Sequence, residues 1–227
     1  MFYNESENNF GELPISRDAL AFGLLAAVFS GALAIAAVLA NKVAMVFGLV
    51  VPAGVVAYAL TFPVTDMASE VWGKKAAGWI VLAGFIALLV TYALIQTALL
   101  APAAPFYSHA EEFKTVVGAT RRVILASFLA YLVSQTSDVW LFHLLKRLFK
   151  GRHLWIRNNA STMISQLLDS AVFCTAAFYG QIPVLPLILG QWVIKMIVAA
   201  ADTPLVYAGV AALRGWGVGK SQAQPSV

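Results

Sequence analysis

From Ala19 to Ala40 the chain carries no charged residue, and after Asn41-Lys42 it carries none from Val43 to Thr65. A helix needs about 20 mainly apolar residues to cross the roughly 30 Å hydrocarbon core of a bilayer. Two such runs at the start of a chain already exclude most soluble folds, and more follow. Ala76 to Ala110 lacks Asp, Glu, Lys and Arg, although Pro102 and Pro105 end its helix near Leu100. A fourth run extends from about Val123 to Leu145 with Asp138 and His143 inside, and a fifth from about Ser161 to Tyr179 with Asp169 inside. A sixth, from about Pro183 to Leu213, contains Lys195 and Asp202. The excess is spread along all 227 residues, 60% of them hydrophobic and only 11% charged. Soluble domains hold about 45–50% and about 25% respectively.

The sequence therefore predicts an all-α integral membrane protein with six transmembrane helices, because lipid offers no partner to an open backbone. Asn41-Lys42 alone joins the first two spans, so they are expected to form a tight antiparallel helical hairpin. Residues 1–17 read as a polar N-terminal tail, 18–213 as the six-helix transmembrane domain, and 214–227 as a flexible C-terminal tail. The opening MFYNESENNF is polar and acidic, unlike a cleavable signal peptide.

Charge sets the orientation. The formal net charge is +4, and its basic residues sit between apolar runs, where they report topology rather than nucleic-acid binding. With both termini cytoplasmic, ten lysines and arginines fall inside, including the KRLFKGRHLWIR loop, against Lys42, Lys114, Arg121 and Arg122 outside.

Several reaction chemistries find no residues to carry them. Cys174 is the one cysteine and cannot form an internal disulfide. His109, His143 and His153 are scattered, with no HExxH pattern and no metal cluster. The tail GVGKSQAQPSV lacks the glycine that a phosphate loop requires five residues before Gly219, where Arg214 stands instead. The sequence predicts no enzyme activity, no metal, no cofactor and no ATP hydrolysis by this chain.

Ionisable groups inside membrane helices are costly and mark function. At about 1.5 Å rise per residue, Asp169 lies near the midplane on an outward-running helix. Lys195 lies near it on an inward-running one. They are candidates for an ion pair, since a buried lysine lacking a partner loses its charge. Thr162, Gln166 and Asp169 share one helical face, with Asn159 and Ser170 close beside and Asn158 among the other polar residues of the same helix. Ser134, Gln135, Ser137 and Asp138 form a second polar turn. Asp66, Asp138 and Asp202 are expected in the cytoplasmic half, and Pro204 is expected to break the last helix next to Asp202. Ser69-Glu70-Val71-Trp72 recurs as Ser137-Asp138-Val139-Trp140, each acid two residues before a tryptophan. Gly23, Ala27 and Gly31 make a small-residue stripe suited to helix packing, within the chain or across a homodimer.

The stretches TDMASEVWGKKAA, QTSDVWLFHLLK and RNNASTMISQLLDS, with Lys195 and the later Asp202-Thr-Pro, resemble the queuosine precursor transporter family. The resemblance runs from about Asn41 to Pro204. It implies a six-helix bacterial inner-membrane protein that takes up 7-deazaguanine bases such as 7-cyano- or 7-aminomethyl-7-deazaguanine; import is expected by alternating access, with no direct contact to nucleic acid. Such a base presents two adjacent donors, N1–H and the 2-amino group, which a carboxylate accepts together. Asp169, Asp138 or Glu70 is expected to read that edge. Asn158, Asn159, Gln135, Gln166 and Lys195 are expected to orient the base, and Trp72 or Trp140 to face its ring. Asp66 and Asp202 are the expected coupling or gating residues, for a proton or sodium gradient if transport is not simply facilitated. The alternative reading is a substrate-binding membrane subunit that serves an ATP-driven partner.

Overall fold

The computed structural model describes residues 16–148 and 154–219, with side chains except at positions 135, 138, 139, 142, 143, 146 and 154–159. Helix α1 spans Arg17–Leu39 and is opened by Ser16, whose hydroxyl accepts from the Ala19 amide at 3.1 Å. Lys74–Leu100 forms α4, Ala110–Leu148 α5, Leu154–Phe178 α6 and Val184–Ala201 α7. Four helical stretches are long and apolar enough to cross a membrane: α1, α4, Ala110–Ser134 of α5, and α7. Helix α5 starts well before the expected Val123, and its 39 residues extend about 58 Å. In its first turns Glu111 and Lys114 form an exposed pair at 2.9 Å.

The second segment differs most from expectation. Instead of one helix from Val43 to Thr65, the chain forms strand β1 (Val43–Val46), strand β2 (Leu49–Pro52), then short helices α2 (Gly54–Tyr58) and α3 (Thr61–Trp72). The strands pair antiparallel, Val46 opposite Leu49 and Val43 opposite Pro52. Phe47 and Gly48 turn the hairpin with φ of 51° and 78°, both positive as a tight two-residue hairpin turn requires. Lipid excludes an open sheet edge, yet non-helical backbone is tolerated at depth where protein covers it. Helix α7 supplies that cover for β2. A Cβ on Gly190 would meet the Val50 carbonyl oxygen at 2.1 Å, so only glycine admits the strand so close. Val51 is buried there, against Ile194.

The sixth segment breaks where Asp202-Thr203-Pro204 predicts. Asp202 ends α7 and starts α8 (Thr203–Gly215), and Pro204 has no amide to give the Ala200 carbonyl.

Hydrogen bonds fix the level of each element. At one end of the molecule, Asp18 Oδ1 accepts from the Trp72 indole and the Gly219 amide, both at 2.8 Å. Arg214 pairs with Glu70 at 3.2 Å, and Arg17 donates to the Trp216 carbonyl. Val218 is buried, so residues 215–219 of the expected tail pack against α1 and α3. At the other end, Asn41 donates to Thr120 Oγ1 at 2.7 Å and Arg121 to Gln96. Arg122 donates to the carbonyls of Ala176 and Tyr179 there. Between the two ends the core joins Phe29 and Leu33 of α1, Val64 of α3, Ile80 and Leu88 of α4, Ile124 of α5, Cys174 of α6 and Leu187 of α7. Gly23, Ala27 and Gly31 are exposed, so the small-residue stripe packs no helix among the described residues.

Candidate functional site

Inside this bundle lies a cavity of about 270 Å³, near the small end of ordinary ligand sites at about 300–1,000 Å³. Phe29 and Leu33 of α1, Tyr58 of α2, Phe62 and Thr65 of α3, and Phe85 of α4 form one side. Ser127, Tyr131 and Ser134 of α5, Gln166, Asp169 and Phe173 of α6, and Gln191 and Lys195 of α7 form the other. Helical periodicity explains the convergence. Gln166, Asp169 and Phe173 recur at i, i+3 and i+7 on α6, and Gln191 and Lys195 at i, i+4 on α7.

Lys195 and Asp169 form a buried, hydrogen-bonded ion pair. The lysine side chain is 2% exposed and the aspartate 12%. The Lys195 ammonium also stands 5.0 Å from the centre of the Tyr58 ring, in the range of a cation–π contact. Depth counting along two separate helices anticipated this pair. A buried pair of this kind is weak evidence for stability, because desolvation offsets much of the attraction.

The polar wall is incompletely satisfied. Gln166 Oε1 and Ser170 Oγ are enclosed, and neither has a hydrogen-bond partner among the described residues. Native interiors leave few such atoms, so each one asks for an explanation. Gln166 lines the cavity, and a ligand N–H would complete it. Ring surface is close by. Phe85 stacks at a tilt on Tyr131 with centroids 4.3 Å apart, and on Phe128 at 5.2 Å.

The structure thus brings Gln166, Asp169 and Lys195 together and sets other expected site residues elsewhere. Glu70 is exposed and paired with Arg214. Trp72 donates to Asp18 and packs edge-on against Phe22 at 5.7 Å. Trp140 is exposed. The aromatic surface of the cavity comes instead from Phe29, Tyr58, Phe85, Tyr131 and Phe173. Asp202 is buried at the α7–α8 break, and Asp66 on α3 is exposed but within electrostatic reach of it. Neither lines the cavity. The side chains of Gln135, Asp138, Asn158 and Asn159 lie outside the described residues. Sequence reasoning missed Gln191, although its place one turn before Lys195 was a usable signal. It also missed Tyr58, Phe85 and Tyr131, which no local pattern separates from lipid-facing aromatics.

Comparison with known proteins bears on what such a cavity serves. A family model described as "Putative vitamin uptake transporter" matches residues 52–209, which hold all the polar cavity residues named above. A Bacillus subtilis (strain 168) protein described as "Probable queuosine precursor transporter" is 35% identical over 171 residues, covering 74% of this chain and 75% of its own. An Escherichia coli (strain K12) "Queuosine precursor transporter" is 30% identical over 127 residues, covering 56% of this chain and 54% of its own. No solved structure matches. With most of its length matched and its apolar helices enclosing a cavity lined in part by Asp169 and Lys195, this chain belongs to the "Putative vitamin uptake transporter" family, multi-pass membrane transporters rather than enzymes.

Proposed function

We propose that the chain imports queuosine precursors, 7-deazaguanine bases, through this cavity by alternating access across a bacterial inner membrane. The observation that carries the reading is the enclosed Gln166 carbonyl oxygen, without a partner among the described residues, in the same ring-walled cavity that Asp169 lines. A guanine-type edge offers two adjacent N–H donors, and these two groups are acceptors. Lys195 is a donor for the 6-oxo group once it shares its partner with the base, and Phe85 and Tyr131 offer flat surface to the ring. The names of the two bacterial relatives support the substrate class.

Six passes fit the levels at which the elements are tied. The hairpin with α2 and α3 makes the second pass, and α7 with α8 the sixth. Both termini are then cytoplasmic by the bias of lysine and arginine. Asp66 and Asp202, outside the cavity, are the groups available for coupling to a proton or sodium gradient. Uptake insensitive to uncouplers and to neutral substitution of both would remove that role.

Ligand-induced thermal shift on the purified protein tests the substrate. A ligand that binds only the folded state raises the melting temperature. 7-Cyano- or 7-aminomethyl-7-deazaguanine is expected to raise it more than guanine does. Gln166→Leu removes an oxygen that has no partner among the described residues, so the ligand-free melting temperature should hold. Affinity for the base should fall about tenfold, for roughly one lost hydrogen bond. No shift with either 7-deazaguanine would overturn the substrate.

A further inference from the structure

We infer that Gln191, its amide oriented by Cys174, is the residue that distinguishes a 6-oxo base from a 6-amino base. The inference rests on the proposed substrate and adds how that substrate is selected. Gln191 is 6% exposed and lines the cavity from α7. Its Oε1 accepts a hydrogen bond from the Cys174 thiol at 3.2 Å. Its Nε2 has no partner among the described residues.

An amide side chain can turn over and exchange its donor and acceptor ends. Here the thiol proton favours the oxygen end, although the sulfur also accepts weakly. The sulfur is fully buried in the core, and its one proton goes to the Gln191 oxygen. The NH2 end is then left for the cavity. A fixed donor attracts an oxo group and leaves an exocyclic amine facing it donor to donor. Sites built on such a bond reject a ligand that cannot complete it far more strongly than apolar pockets reject a misfit. Lys195, the other donor in the proposed pose, is shared with Asp169 and lies over Tyr58, and the Gln191 variants read the contribution of the amide apart from it. Cys174 is a positioning residue and need not touch the ligand.

The test measures binding of two bases that differ at one atom: 7-cyano-7-deazaguanine and its 6-amino counterpart. The full-length purified protein is expected to prefer the oxo base by at least about tenfold. Gln191→Glu replaces the donor with an acceptor, and the preference should reverse toward the amino base. Gln191→Met keeps the shape without the polar ends and should bring the two within about threefold. Cys174→Ala frees the amide to turn and should shrink the preference, whereas Cys174→Ser, whose hydroxyl still donates, should keep it. A purely structural role would lower both affinities together. Should Gln191→Glu and Gln191→Met keep the wild-type preference, the inference is overturned and the substrate reading stands. Binding of neither base by the wild type removes the substrate reading and this inference with it.

Discussion

A lysine and an aspartate that are buried together constrain each other. Removing one leaves the other charged and unpaired in a medium that solvates it poorly, at a cost of about 3–5 kcal/mol. Replacing both with apolar side chains of similar volume removes the debt as well as the bond. Asp169→Leu alone and Lys195→Met alone are therefore expected to lower the melting temperature of the purified protein. The double variant should recover most of that loss and remain inactive in uptake. A double variant less stable than either single one would mean that the pair holds the bundle together and is not kept for transport. The sequence revealed this pair because charge inside an apolar run is conspicuous and depth can be counted from the run's end. It revealed Gln166 by the polar face around it. Gln191 and the cavity's aromatic rings were not legible in the same way. What makes them site residues is which way a helix face turns in the assembled bundle, and one chain of apolar residues does not encode that locally. Glu70 and Trp72 stand apart from the cavity. Their polarity was real, but it serves contacts with Arg214 and Asp18 near the end of the helices.

At the scale of elements, hydropathy located the apolar segments and misjudged the shape of one. A run such as VAMVFGLVVP is apolar at every position, so neither the 3.6-residue nor the 2-residue period can stand out. Its β-branched residues, its glycine at the turn and its closing proline favour a hairpin. Lipid argued for a helix; in the structure α7 covers β2, and β1 pairs with β2. That cover has a narrow tolerance. Gly190→Ala would drive a methyl group into the Val50 carbonyl, and neither backbone can give way cheaply. Overpacking of this kind costs about 1–3 kcal/mol, so the variant should melt lower. Gly78→Ala on α4, where an added Cβ meets nothing within 4 Å, should melt no lower, since alanine favours helix over glycine. Equal melting temperatures for the two variants would show that β2 does not lie against α7.

Across the whole molecule, cross-links at two levels give the chain its direction. Asp18 gathers Trp72 and Gly219 to the start of α1, while Thr120 gathers Asn41 to its end. Successive segments then have to run back and forth between these levels. An amphipathic soluble bundle could alternate in the same way, but its outer surface would be polar. Here Leu24, Val28, Ile35, Leu82, Ile86 and Leu89 are all exposed, a surface that only hydrocarbon solvates without cost. The position of each level relative to the membrane can be read by labelling. Cys174 is buried, and a Cys174→Ser background leaves no native thiol to react. In that background Phe106→Cys, highly exposed in the segment between α4 and α5, should react with a membrane-impermeant maleimide in intact cells. Glu70→Cys, at the Asp18 level, should react only after the membrane is opened. The reverse pattern would keep the number of passes and invert the orientation. Reaction of both in intact cells would put the two levels on one face of the membrane, and the six-pass reading would be lost.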